Sequence, residues 1–148
     1  MRASWVHVER DFAAPVEQVF ACLAEHEQLE TLFPGTKIRR LTDGTDGERN
    51  GVGSSREMKM GPLLPFVESV VEFVPGERIV YRITSGVTPL RHHVGIMRFT
   101  ATPSDGTHLD YRIRVSSAIP GIVPLVRTAL TQGLRDGLQA VDRELSRA

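Results

Sequence analysis

The segment over 119–145 most constrains what this chain can fold into. Its apolar residues Val123, Val126, Leu130, Leu134, Leu138, Val141 and Leu145 recur three or four apart, the spacing of one long amphipathic helix with a single apolar stripe. Such a stripe needs a surface to cover, and almost everything before it reads as strand. One strand ahead of the first helix and six more between Lys37 and Ser116 predict a sheet about 33 Å wide, at roughly 4.8 Å per strand. A helix covers only about 10 to 12 Å, so the sheet must curl around it, and the helix need not fill the space enclosed. The expected fold is α+β: a curved antiparallel sheet of about seven strands wrapped around a long C-terminal helix, with two short helices after the first strand. Gly133 and Gly137 lie one turn apart inside that helix, each costing about 1 kcal/mol relative to alanine. Close packing on a neighbour or room for a ligand would account for them.

The 148 residues fit a single domain, 1–148, able to bury a core without disulfides or metals. Eighteen basic and eighteen acidic residues give zero formal charge with no long run of either sign, which argues against nucleic acid or an anionic membrane as partner. The opening Met1-Arg2-Ala3-Ser4-Trp5 runs into an alternating strand without an apolar signal core, and no stretch of eighteen apolar residues follows. A cytoplasmic protein without stable membrane insertion is expected, its oligomeric state open. Cys22 stands alone beside Val19 and Leu23, a core thiol with no disulfide or thiolate metal site to join.

Along the chain, a strand over 5–12 turns Val6, Val8 and Phe12 inward, with Arg10 as the exception on that side. Ala13-Ala14-Pro15 starts a helix whose apolar face is Val16, Val19, Phe20 and Leu23. A second short helix over 27–33 ends at Pro34-Gly35, and strands follow near 37–43, 52–59, 66–74, 77–84, 93–102 and 107–116. Successive hairpins must turn at alternate ends of an antiparallel sheet. One end gathers the polar turns 43–51, 75–77 and 103–107. The other gathers 61–65, 85–90 and 118–125, which are apolar and proline-bearing, as suits a pocket mouth or a contact surface.

This order resembles the helix-grip fold of the START-like or Bet v 1-like (SRPBCC) superfamily, and within it the bacterial polyketide cyclase/dehydrase and lipid-transport group. The marks are Phe12-Ala-Ala-Pro-Val-Glu-Gln-Val-Phe20, Phe33-Pro-Gly35, Pro75-Gly-Glu-Arg-Ile-Val-Tyr81 and Gly106-Thr-His-Leu-Asp-Tyr111. The superfamily includes lipid carriers, hormone receptors, aromatases and cyclases, so the resemblance implies a fold and leaves the function open.

Strand parity puts Val67, Val71, Phe73, Ile79, Ile83, Met97, Phe99, Leu109, Ile113 and Val115 on the inner wall. The same parity turns Arg56, with Met58 and Met60, and also Tyr81, His93 and Tyr111 inward. The expected ligand wall is therefore Arg56 and Met58, Val71 and Phe73, Tyr81 and Ile83, His93, Met97 and Phe99, and Tyr111 and Ile113. From the helix come Leu130, Gly133, Leu134 and Gly137. A buried arginine needs a carboxylate, an anion or a carbonyl, so Arg56 leads as site residue. Tyr81 and Tyr111 could orient a ligand carbonyl, and His93 could move a proton. Arg56, His93 and Tyr111 are the catalytic candidates if there is catalysis. His92 and His93 face opposite ways, and HExxH, Cys/His clusters, GxSxG and nucleotide-binding glycine patterns are missing; Ser54-Ser55 shows no base. No metal or cofactor is expected. Three readings follow: a module binding a small hydrophobic molecule, lipid-like or polyketide-like; a cofactor-independent cyclase or dehydratase; and a protein-interaction module using the apolar loops.

Overall fold

The computed structural model describes residues 4–147. Strand β1 (Ser4–Phe12) leads to helix α1 (Val16–Ala24), a 3-10 turn (His26–Gln28) and the one-turn helix α2 (Leu29–Leu32). Six strands follow: β2 (Thr36–Thr42), β3 (Ser55–Met60), β4 (Phe66–Val74), β5 (Arg78–Gly86), β6 (Arg91–Ala101) and β7 (Thr107–Ser116). The chain closes with helix α3 (Ile122–Ser146). All neighbours pair antiparallel in the order β1-β7-β6-β5-β4-β3-β2. The helix-grip α+β fold expected from the sequence is the fold observed. Residues 52–54, expected in a strand, instead close the turn before β3, and the expected helix over 27–33 splits into the 3-10 turn and α2.

Helix α3 lies against β1, β7 and α2. The exception on β1 explains itself here: Arg10 reaches α3 and donates to Asp142 at 2.8 Å. Along the stripe of α3 the burial changes. Leu134, Leu138 and Val141 are fully buried, whereas Val123, Val126 and Leu130 nearer its start are only partly so. The interior is correspondingly divided. Beneath α1 the Phe20 ring packs edge-on against Phe73 at 5.3 Å and Phe99 at 5.0 Å between centroids, filling that end. Thr107 anchors the same end by donating to the Ala14 carbonyl at 2.8 Å. Cys22 packs against this core, and burial pushes its thiol up to about 11. Under the first half of α3 the filling stops.

Strand β4 corrects the parity read from sequence. Phe66, Glu68 and Val70 are its buried residues, Val67 is only partly buried, and Val71 is 42 % exposed. A bulge between Val70 and Glu72 then returns Phe73 to the inner side. One extra residue reverses every side chain beyond it, so counting back from Phe73 set Val67 and Val71 inward and turned Glu68 out.

Candidate ligand pocket

A pocket of about 280 Å³ occupies the space left under the start of α3. Its walls are Met58 and Met60 from β3, Phe66 and Glu68 from β4, Tyr81 and Ile83 from β5, His93 from β6 and Ile113 from β7. Val126, Ala129, Leu130 and Gly133 of α3 form the roof, and Phe33, Pro34, Leu63, Thr88, Pro89 and Leu90 border it. The loops around it and the first turn of α3 are apolar and solvent-facing: Leu63 is 52 % exposed, Leu64 60 %, Val87 68 % and, on α3, Leu125 72 %.

The two helix glycines divide by function. At Gly133 an added Cβ would meet nothing within 4 Å, so the missing side chain leaves open pocket. At Gly137 it would lie 1.8 Å from the Leu32 carbonyl oxygen, so this glycine lets α3 press on α2. Gly137, expected on the ligand wall, is a packing residue.

The polar groups of the wall converge at one place. Arg56 stands opposite Glu68 in the β3–β4 register and donates from Nε and Nη2 to Glu68 Oε1, at 3.2 and 2.7 Å. Both side chains are 4 % exposed. The guanidinium also sits 4.9 Å from the centre of the Tyr81 ring. Its Nη1 is 3.5 Å from His26 Nδ1. Because arginine can only donate, that nitrogen accepts, and Nε2 carries the His26 proton. Nε2 then donates to Ser54 Oγ at 2.9 Å, and Ser54 donates to the Gly51 carbonyl at 2.7 Å. Burial, with Arg56 and Arg40 nearby, pushes His26 down to about 3. Ser54 thus has a histidine partner that sequence did not reveal, but the protons run away from the nucleophilic sense and the pair is structural.

Tyr81 and Tyr111 share a short hydroxyl–hydroxyl hydrogen bond. The contact depends on Gly95, which faces Tyr81 in the β5–β6 register. A Cβ there would lie 2.0 Å from Tyr81 Cζ, so the ring crosses β6 over the glycine to reach β7. Burial raises both phenols above their usual range, with the neighbouring tyrosine and Glu68 adding to the rise at Tyr81. His93 lies beside them, 6.0 Å from the Tyr81 ring centre. Its Nδ1 is buried without a hydrogen-bond partner, 3.8 Å from Glu68 Oε2. Burial lowers its basicity; Glu68 opposes this and Arg56 adds to it.

Of the expected wall, Met58, Tyr81, Ile83, His93, Ile113, Leu130 and Gly133 line the pocket. Arg56 and Tyr111 stand behind it, turned to Glu68 and Tyr81. Phe73, Met97, Phe99 and Leu134 belong to the packed core, and Val71 to the outer surface. Sequence reasoning missed Glu68, Phe66, His26 and the α3 residues Val126 and Ala129. Glu68 had one signal, that a buried arginine asks for a carboxylate; a hairpin turning over 61–65 would have paired Arg56 with Val70, whereas the observed register pairs Met58 with Phe66 and so Arg56 with Glu68.

A separate charged group lies on the outer face of β1 and β7, where Glu9 and Asp110 are opposite in register. The ligating atoms of His7, Glu9 and Asp110 fall within 4.8 Å of one another. His108 and Arg112 pair with the two carboxylates, and His7 lies 3.2 Å from Asp110, so the group reads as a ladder relieving like charges. Among the described residues, no helix is long and apolar enough to cross a membrane.

The family model described as polyketide cyclase / dehydrase and lipid transport matches residues 5–146. Among solved structures, the Zhui aromatase/cyclase from a Streptomyces strain superposes with a TM-score of 0.81 at 18 % identity, covering 99 % of this chain and 95 % of that one. A START superfamily protein from Mycobacterium smegmatis gives 0.79 at 17 %, covering 97 % of each chain. Norcoclaurine synthase from Thalictrum, a point mutant bound to a transition-state analogue, gives 0.73 at 15 %, covering 99 % and 96 %. At these identities the likeness is one of fold. No curated protein sequence matches the chain.

Proposed function

The chain belongs to the polyketide cyclase/dehydrase and lipid transport family, and we propose that it binds one small, mainly apolar molecule in the pocket between the sheet and the first half of α3. The observation that carries this reading is the pocket itself, about 280 Å³ walled mostly by apolar side chains and held open at Gly133. Apolar wall left to water forfeits roughly 25 cal/mol for each Å² that a ligand would cover. At about 30 Å³ per water-sized unit, the volume suits a ligand of roughly nine or ten non-hydrogen atoms, more if part of it extends into the mouth. The exposed Leu63, Leu64, Val87 and Leu125 give an apolar approach to that mouth. The same exposed loops are what the interaction-module reading rests on; the open space beneath them supports the binding reading over it.

A second reading, turnover of the bound molecule, has one observation in its favour: Glu68, Tyr81 and His93 meet at one end of the pocket. A neutral His93 could take a proton from a carbon next to a carbonyl while a tyrosine O–H steadies the oxygen. Arg56 does not serve as the carbonyl polariser, because Glu68 holds it behind the wall. In that case His93→Gln should abolish turnover of any substrate found while leaving its binding intact.

The binding reading is tested by titrating ligand-stripped protein with an environment-sensitive apolar probe, beside Gly133→Phe. Saturable binding near one probe per chain, lost in the variant with unchanged circular dichroism, is expected. No saturable binding by the wild type, or equal binding by the variant, would overturn it.

A further inference from the structure

The inner end of the pocket offers one free anionic acceptor beside neutral donors and, among the described residues, no free cation, and this limits what it can hold. Arg56 directs its guanidinium to Glu68 Oε1, His26 and the face of Tyr81, and no part of it forms the pocket wall. Glu68, which does form the wall, accepts both arginine hydrogen bonds on Oε1; among the described residues Oε2 accepts none. His93 Nδ1 lies 3.8 Å from Oε2, too far for a hydrogen bond, and is itself without a partner. A buried imidazole nitrogen with no partner is a cost that a native site normally relieves. Of the two phenolic protons, one lies in the Tyr81–Tyr111 hydrogen bond, so that pair has one left to offer.

Resting on the pocket reading above, we infer that the site selects neutral amphiphiles whose buried end carries a hydroxyl, alcohols or phenols, and rejects the corresponding carboxylates and amines. A hydroxyl can donate to Glu68 Oε2 in a charge-assisted bond while its oxygen accepts from the tyrosine pair. The second lone pair of the same oxygen can accept from His93 Nδ1–H, which would give that buried nitrogen its partner. A carboxylate in the same place would set two anions side by side, because the Arg56 guanidinium beside it is already held by Glu68. An ammonium would reach Glu68, yet Arg56 already neutralises that carboxylate, and the result would be an uncompensated buried positive charge. The apolar body of the ligand would lie along Met58, Ile83, Ile113 and Leu130. Of the partners the sequence left open for Arg56, a protein carboxylate or an anionic or carbonyl ligand, Glu68 supplies the first, so the charge facing the pocket is negative.

The experiment compares 1-decanol, decanoate and decylamine, equal in chain length, by calorimetry at pH 8 on ligand-stripped wild type and Glu68→Gln. Decanol should bind wild type about tenfold or more tighter than either ion, the worth of a hydrogen bond to a charged group. In Glu68→Gln, which keeps the shape and removes the charge, the preference over decanoate should shrink severalfold. If decanoate or decylamine binds wild type as tightly as decanol, the inference falls and the pocket reading stands. If none of the three binds, the pocket reading itself fails. The wild-type series decides the matter even if Glu68→Gln does not fold.

Discussion

Arg56 and Glu68 tie the polar end of the pocket together, and their value depends on being present as a pair. Each is 4 % exposed, so removing one partner leaves a buried charge without its counter-charge. Arg56→Met should therefore cost about 3–5 kcal/mol, whereas the double variant Arg56→Met/Glu68→Leu should recover most of it. Urea unfolding of the single and double variants measures this, and a double variant no more stable than the single would contradict it. His26 gives a second prediction, in pH. Folded His26 stays neutral down to about pH 3, while an unfolded histidine takes up its proton near pH 6.5. Between those values the unfolded state binds the extra proton, so this contribution to stability is complete above about 6.5 and lost as pH falls. One such group contributes a slope of up to about 1.4 kcal/mol per pH unit. His26→Gln keeps a donor and an acceptor without the titration, so its stability should fall less steeply from pH 7 to 5; equal slopes would assign the acid loss to other groups, His93 first.

Helix α3 was the element most legible in the sequence, because its apolar period stands out against a polar face; its start moves only from 119 to Ile122. What the period could not tell was that the two glycines serve different neighbours, since that depends on α2 lying across Gly137 and on nothing lying across Gly133. Gly133→Ala should stabilise by up to about 1 kcal/mol through helix propensity. Gly137→Ala should destabilise by about 1–3 kcal/mol or more, because backbone must move to admit the methyl. Thermal unfolding of the two variants would show opposite signs, and shifts of the same sign would contradict the division. Strand β4 was the least legible. Its bulge follows from how β4 meets β5, not from any local residue type, and one slipped residue concealed Glu68 and placed Val71 inside. Tyr81 was readable as inward, but its reach to Tyr111 required Gly95 opposite it on another strand.

At the scale of the whole molecule, the sheet is wider than α3 can cover, and α1 makes up the difference at one end only. The helix-grip topology was readable because helix and strand periods, turn chemistry and alternate hairpin ends all point to it. The site was readable in part: outside β4, parity found the side chains that face inward, but not which of them meet core and which meet empty space. That division arises from Phe20 filling one end of the interior and Gly133 leaving the other open. The central claim is that a ligand occupies this open end. Amide chemical shifts of labelled protein titrated with 1-decanol test it most directly. The account predicts saturable shifts concentrated at Met60, Ile83, His93 and Gly133 and small ones at Phe20, Phe73 and Phe99. Shifts absent altogether, or confined to the outer face around Trp5 and Ile96, would contradict it.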